Sequence, residues 1–296
     1  MIRTLPAYFH PTTLLFVDDD KHLIDSMQGA LQNVFNIQKF SSGSDAFAFI
    51  ERHQKDPKTQ PAIERIIQYT EDFVIEEKRP AIVNLSALMT HLLNPKRFET
   101  ISVTIVDFAM PYMTGVEFLE KINHFDSKKI MFTGEAFNIE GLNLFNFNII
   151  DRICRKSEPA RVMTAIFEDM QLRYFQEHNQ VLLNALRNLS LVTPQCLQDA
   201  DLTSPVFELL RSRGIAEFYL INHEGFFVTA TAKGELGLFI LQSEAEHRAH
   251  SHSHPIETLK TRTQTYHYAF APLPEEQKMS LQRMLSFNQF LTGALT

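Results

Sequence analysis

The chain has 296 residues, room for two ordinary domains, with 44% apolar residues and a formal net charge of -7. The apolar share excludes global disorder, and the acidic balance disfavours nucleic acid as a partner. Two cysteines, Cys154 and Cys196, give no disulfide framework and fit a reducing cytosol. No apolar run reaches the roughly 18 residues of a membrane span, and residues 1–10 lack the long apolar stretch of a secretory signal.

In chain order, residues 14–17 predict a short buried strand that ends on Asp18, Asp19 and Asp20. Leu23, Met27, Leu31, Val34 and Phe35 recur at helical spacing, predicting a helix over 21–35. A strand is expected at 37–40, a turn and N-cap at 41–44, and a helix at 46–52. Strand-helix-strand-helix with short loops is the pattern of a doubly wound parallel sheet. The rhythm breaks over 53–99, which is punctuated by Pro57, Pro61, Pro80 and Pro95 and only weakly periodic at 62–74 and 85–93. That stretch reads as an insertion with short helices of its own, folded over one end of the sheet.

Residues 101–106 form an apolar, β-branched run that reads as a buried strand, and it ends on a carboxylate, Asp107. Pro111 and Gly115 then turn the chain over the strand end. A helix at 115–122, a strand at 129–132 ending on Thr133, a short helix at 139–147 and a strand at 149–154 ending on Arg155 and Lys156 complete the pattern. Cys154, inside a buried strand, reads as an inert core thiol. From 158 onward Met163, Ile166, Met170, Tyr174, Val181, Ala185 and Leu189 fall three, four or seven apart. A helix of about 30 residues exceeds what one domain face needs, so it is expected to run on as a connector or dimer stalk.

Thr193 and Pro194 mark a boundary. Beyond it, a helix at 206–213 and strands at 217–222, 226–232 and 236–241 read as antiparallel hairpins. A polar stretch at 242–255, a strand at 265–271 and a closing helix at 280–291 complete a small α+β domain. His247, His250, His252 and His254 cluster, and alternation at 250, 252 and 254 would place three imidazoles on one side of a strand, as suits a transition metal. Their Ser, Ala, Glu and Pro neighbours read instead as an exposed loop.

Four strand ends thus carry Asp18 and Asp19, Asp107, Thr133 and Lys156. In a parallel sheet these ends share the edge where ligands sit. Crowded carboxylates repel and raise one another's pKa unless a cation compensates them. Oxygen donors with room for water suit Mg2+, and a Thr hydroxyl and a Lys ammonium suit phosphoryl oxygens. The set matches in-line phosphoryl transfer to a carboxylate.

Phe-Val-Asp18-Asp19, Val-Asp107-Phe-Ala-Met-Pro111-Tyr-Met-Thr-Gly115, Ile-Met-Phe-Thr133-Gly and Cys-Arg-Lys156 together resemble the receiver domain of two-component response regulators. The resemblance implies a five-stranded flavodoxin-like receiver over 12–175 with the insertion at 53–99, a helical connector at 176–193 and an output domain at 194–296. It implies that Asp107 accepts a phosphoryl group from a sensor histidine kinase or phosphotransfer protein. Asp19 would bind Mg2+ directly, Asp18 largely through water, and the backbone carbonyl of Ala109 would be a further ligand. Thr133 and Lys156 would hold the phosphoryl group, and Ala109 and Glu135 would tune its hydrolysis. Receivers usually carry Pro after the Lys and an aromatic three residues before it. Here those positions hold Ser157 and Ile153, so the usual relay to the output face is in question.

The expected protein is a cytoplasmic signalling protein rather than an enzyme, self-associating through the 158–190 helix or the 136–175 face. Two alternatives differ in kind. One is a haloacid-dehalogenase-like phosphatase with Asp18 as nucleophile, served by Asp20, Thr133 and Lys156. Against it, His22 stands where that family has Thr or Val, and the 110–115 motif is left unexplained. The other is a receiver-shaped scaffold that is never phosphorylated.

Overall fold

The computed structural model describes residues 4–32, 34–56, 59, 63–69, 81–84, 86–134, 149–188, 193–249 and 256–273. Its elements in chain order are β1 (Tyr8–Phe9), β2 (Thr13–Val17), α1 (Lys21–Leu31), β3 (Asn36–Phe40), α2 (Gly43–Gln54), α3 (Ile63–Ile66), β4 (Ile67–Tyr69), β5 (Ala81–Val83) and α4 (Ser86–Leu92). A 3-10 turn at Pro95–Glu99 leads into β6 (Ile101–Asp107), α5 (Gly115–Lys121), β7 (Lys128–Thr133), β8 (Arg152–Arg155) and α6 (Ala160–Asn188). Then follow α7 (Thr203–Ser212), β9 (Ile215–Leu220), β10 (Phe226–Thr231), β11 (Leu236–Ser243), α8 (Glu244–Ala249), β12 (Glu257–Lys260) and β13 (Thr265–Pro272).

Two compact units result. One comprises residues 11–60 and 96–174, the other 1–10, 61–95 and 175–296. The first is built on a parallel sheet of order β3-β2-β6-β7-β8. Every residue of β6 and of β7 is buried, as expected of inner strands covered on both faces. Leu15, Val17, Val106, Phe118, Leu119 and Met131 fill one side. Leu14, Phe16, Ile105, Phe132, Phe167 and Met170 fill the other. At the end of the sheet away from Asp107, Thr12 bonds both Ser102 (2.5 Å) and Gln171 (2.6 Å).

The second unit holds an antiparallel sheet of order β1-β9-β10-β11-β13-β12. The three expected hairpin strands form it, with Gly225 in the β9–β10 turn at φ +81°, where Asn222 Oδ1 accepts from the amides of Glu224 and Phe226 at 3.1 Å each. Three pieces differ from the sequence-based expectation. Tyr8–Phe9 pairs with β9 as an edge strand. Polar Glu257–Lys260 pairs with β13. Residues 61–95 group with this antiparallel unit rather than with the parallel one, and carry their own small hairpin, β4 with β5.

Helix α6 is continuous but serves both units, with Tyr174 the last residue of one and Phe175 the first of the other. Most of its apolar stripe is consumed inside the chain, with Val181 exposed. Met163, Phe167, Met170 and Tyr174 are buried, and so are Phe175, Leu182, Leu183, Ala185 and Leu186. The predicted helices at 139–147 and 280–291 lie outside the described residues, as do His250, His252 and His254. Among the described residues no helix is long and apolar enough to cross a membrane.

Candidate functional site

Strand register assembles the site at the carboxyl ends of the strands: Asp107 and Thr133 are the last residues of β6 and β7, and Asp18 and Lys156 directly follow β2 and β8. Val17 lies opposite Val106, so Asp18 follows at the same edge as Asp107. Asp107 is opposite Phe132, which puts Thr133 one step further out on the next strand. Thr133 is opposite Arg155, and Lys156 comes next, its amide donating to the Thr133 carbonyl at 2.9 Å. The sequence-based expectation of one shared edge therefore holds for Asp18, Asp107, Thr133 and Lys156.

Carboxylate oxygens of Asp18, Asp19 and Asp107 lie within 4.8 Å of one another, and among the described residues no other group of three or more His, Cys, Asp or Glu side chains does so. Asp18 and Asp107 are buried, while Asp19 faces solvent. The Lys156 ammonium bridges the buried pair, 2.8 Å from Asp18 Oδ2 and 2.9 Å from Asp107 Oδ1. It also lies 5.9 Å from the centre of the Phe132 ring. The sequence argument left the crowded acids to a metal ion; the lysine already offsets part of their charge.

Burial pushes the Asp18 carboxyl above its ordinary value; Lys156 and the Asp20 amide draw it back, while the Asp107 charge adds to the rise. For Lys156, burial acts downward, but the two carboxylates outweigh it and hold the ammonium above its ordinary value. The pairing with Asp18 is electrostatic rather than directed, since Asp18 Oδ2 is a buried oxygen without an aligned donor. That oxygen and an all-oxygen donor set fit a hard divalent cation such as Mg2+ better than a thiophilic metal.

The loop leaving β6 is fixed by its own backbone. The Phe108 amide donates to the Phe132 carbonyl (3.1 Å), and the Gly115 amide to the Phe108 carbonyl (3.0 Å). A Cβ on Gly115 would collide with the Asp107 carbonyl oxygen, so this position needs glycine for close approach. Thr114 and Glu117 then close a capping box on α5. The Thr-x-x-Glu spacing that announces this box is plain in the sequence.

Ala109, whose carbonyl is the expected fourth ligand, lies exposed in this loop. Tyr112, two residues beyond Met110, was not singled out from sequence. Its φ is +67°, and the Met113 amide donates to the Pro111 carbonyl at 2.8 Å, closing a three-residue γ-turn around it. This hand of γ-turn is rare and strained, and a bulky residue there costs about 1–3 kcal/mol.

Asp20 caps α1, its Oδ1 accepting from the amides of His22 (3.0 Å) and Leu23 (3.1 Å). A carboxylate spent on the cap serves poorly as the second acid of a phosphatase. Ile153 is half-buried against the core, and Ser157 is exposed. Glu135 lies outside the described residues. Of the histidine cluster, His247 stacks on His267 at 4.3 Å, and His267 Nε2 pairs with Glu244 at 2.5 Å. Burial pushes the Cys154 thiol up to about 11, in keeping with an inert core residue.

No protein-family model matches the sequence, and no curated protein matches it either. The structure is similar to that of the Legionella pneumophila response regulator LqsR, with a TM-score of 0.72 and 24% identity over 93% of this chain and 91% of that one. It is also similar to a response regulator receiver domain protein from Methanospirillum hungatei, with a TM-score of 0.38 and 20% identity over 56% of this chain and 98% of that one. A signal receiver domain of a putative LuxO repressor protein from Vibrio parahaemolyticus gives a TM-score of 0.38 and 18% identity over 58% of this chain and 97% of that one. The likeness to LqsR runs through both units and establishes a shared fold.

Proposed function

We propose that residues 11–60 and 96–174 form the receiver of a response regulator in a two-component phosphorelay. The observation that supports this best is the gathering of Asp18, Asp19 and Asp107 within 4.8 Å, with Lys156 between the two buried members. An Asp107 carboxylate oxygen attacks the phosphorus of a donor phosphohistidine on a kinase or phosphotransfer protein. The new O–P bond forms as the P–N bond breaks, and the released imidazole takes up a proton.

Lys156 is already seated on the acceptor and carries the charge needed to pair with an incoming phosphoryl oxygen. Thr133, one residue beyond the register partner of Asp107, supplies a hydroxyl donor. Asp18, Asp19, Asp107 and the Ala109 carbonyl would hold Mg2+, which when bound offsets charge on the phosphoryl oxygens. The other unit, from residue 194 on, is the output module, and no separate catalytic domain is assigned to it. The protein then acts in the cytoplasm by regulating other proteins. Self-association through the 158–190 helix has little surface to use: among the described residues there, Val181 is the one large apolar side chain left exposed.

The test is acetyl phosphate with Mg2+, read by intact-protein mass. One hydroxylamine-sensitive phosphoryl group is expected, lost in Asp107→Asn and without Mg2+. No labelling of the wild-type chain leaves a receiver-shaped scaffold as the better reading.

A further inference from the structure

Tyr112 is the outlier of the acceptor loop. Among the described residues it is the one non-glycine residue with positive φ, and its side chain is as open to solvent as a side chain can be, at 107% of the reference exposure. Folding gains nothing from a tyrosine here, because it buries no area and occupies backbone that favours glycine. The loop that carries it is nevertheless pinned at both ends and in the middle. The Phe108 amide ties its start to the Phe132 carbonyl on β7, the Gly115 amide closes its far end onto the Phe108 carbonyl, and the γ-turn from Met113 to Pro111 fixes its crest. Pro111, immediately before it, removes further backbone freedom.

We propose that Tyr112 is an anchor for the protein that delivers the phosphoryl group, a donor whose phosphohistidine is set in partly apolar surface. The inference rests on the receiver reading above. Direct transfer to Asp107 obliges the donor to cover the edge of the sheet around the acceptor, and the loop bearing Tyr112 leaves the sheet at that residue. A tyrosine on a pinned loop offers a large apolar face and one hydroxyl at small entropic expense, the combination that dominates interface energetics. A small-molecule phosphodonor has no surface for it to grip.

The experiment compares two donors on the full chain: phosphoramidate, and a histidine phosphotransfer domain itself charged with phosphoramidate. The readout is the ratio of initial labelling rates, protein donor over small donor. The ratio is expected to fall about tenfold in Tyr112→Ala and Tyr112→Gly, and to stay within about twofold of wild type in Tyr112→Phe. Tyr112→Gly relieves the strained φ, so a fall in that variant cannot be laid to misfolding. An unchanged ratio in both truncations overturns the proposal. So does a wild-type chain labelled no faster by the protein donor than by phosphoramidate. A change in oligomeric mass of Tyr112→Ala by light scattering would assign the anchor to a second copy of this chain and also overturn it. If neither donor labels the wild-type chain at Asp107, the receiver reading itself fails, a result separable from the others.

Discussion

At the carboxyl edge of the parallel sheet, charged groups meet water. Asp19 is exposed, Lys156 is partly exposed, and the buried members Asp18 and Asp107 are reached through that lysine. Around residues 4–10 of the antiparallel unit the reverse holds, and a set of polar side chains is sealed inside. Asn179, 1% exposed, bonds the amide of Ala7, the Leu5 carbonyl and the Thr4 hydroxyl, each at 3.1 Å. The Tyr8 hydroxyl meets His178 Nδ1 at 3.2 Å, and His10 and His91 meet through their Nε2 atoms at 2.9 Å. Both regions are rich in titratable groups, but the first has members that reach solvent, Asp19 and Lys156, whereas Tyr8, His10, His91 and His178 are all buried. Polar density alone therefore does not mark a reactive site; access does. The sealed network ties the N-terminal segment, α4, α6 and β9 into one unit, which is a structural task.

The largest expected effect tests the sealed region. Asn179→Ala strands the Ala7 amide and the Leu5 carbonyl in a dry interior, and each unsatisfied buried group costs about 1–3 kcal/mol. A loss of about 3 kcal/mol in urea unfolding is expected, with labelling of Asp107 by acetyl phosphate unaffected in the folded chain. A similar stability loss accompanied by slower labelling would break the comparison, because it would tie the sealed network to the chemistry.

Gly115→Ala attacks the open edge through packing. Its Cβ would collide with backbone rather than with a side chain that could swing away, so the loop must shift. The expected loss is about 2 kcal/mol. Because the displaced atom belongs to Asp107, labelling should fall more than stability suggests. Equal labelling at equal folded fraction would show that the acceptor loop need not be tight.

Charge is the next lever. Lys156 is held above its ordinary value when folded, so its pairing stabilises fully below the unfolded value and is lost as pH rises through the folded one. Asp18 has the opposite sense to most paired carboxylates: burial raises it, so its ionisation works against folding above the unfolded value and is relieved as pH falls through the folded one. Lys156→Met leaves both carboxylates unpaired and should cost about 2 kcal/mol at neutral pH. Measured against pH, the gap between wild type and variant should close once the lysine is deprotonated. A gap that persists in strong alkali would assign the effect to the packed lysine stem instead.

The open edge was legible in the sequence because each of its parts is local. A run such as Ile101–Asp107 announces a buried strand, its terminal Asp announces the edge, and the parallel arrangement does the gathering. The sealed region was not legible, because its bonds join residues about 170 positions apart, such as Ala7 with Asn179. No periodicity in residues 4–10 announces a strand partner near residue 219. The same limit explains Glu257–Lys260, whose polar side chains hide a strand that exists through its ladder with β13. In β8 the misplacement is smaller. Ile149 and Ile150 are apolar because they fill the core, and pairing begins only at Arg152. Tyr112 escaped notice because its significance is a backbone angle.

The smallest effect belongs to the rim of the open edge, and it sharpens the comparison most. Thr114 and Glu117 bond each other reciprocally at the start of α5. The Thr114 amide donates to Glu117 Oε2 at 2.8 Å, and the Glu117 amide donates to Thr114 Oγ1 at 3.2 Å. The Thr114 amide and hydroxyl hold the Glu117 carboxyl below its ordinary value, so this contribution is present above that value and is lost as pH falls through the lowered one. Thr114→Ala removes the hydroxyl but keeps the amide. Water can reach the stranded Glu117 amide, so the expected loss is about 1 kcal/mol, a third of that for the sealed Asn179. The acid limb of the stability curve should also become shallower. If Thr114→Ala instead matches Asn179→Ala in cost, the rim is as dry as the interior, and access is not what separates the two regions.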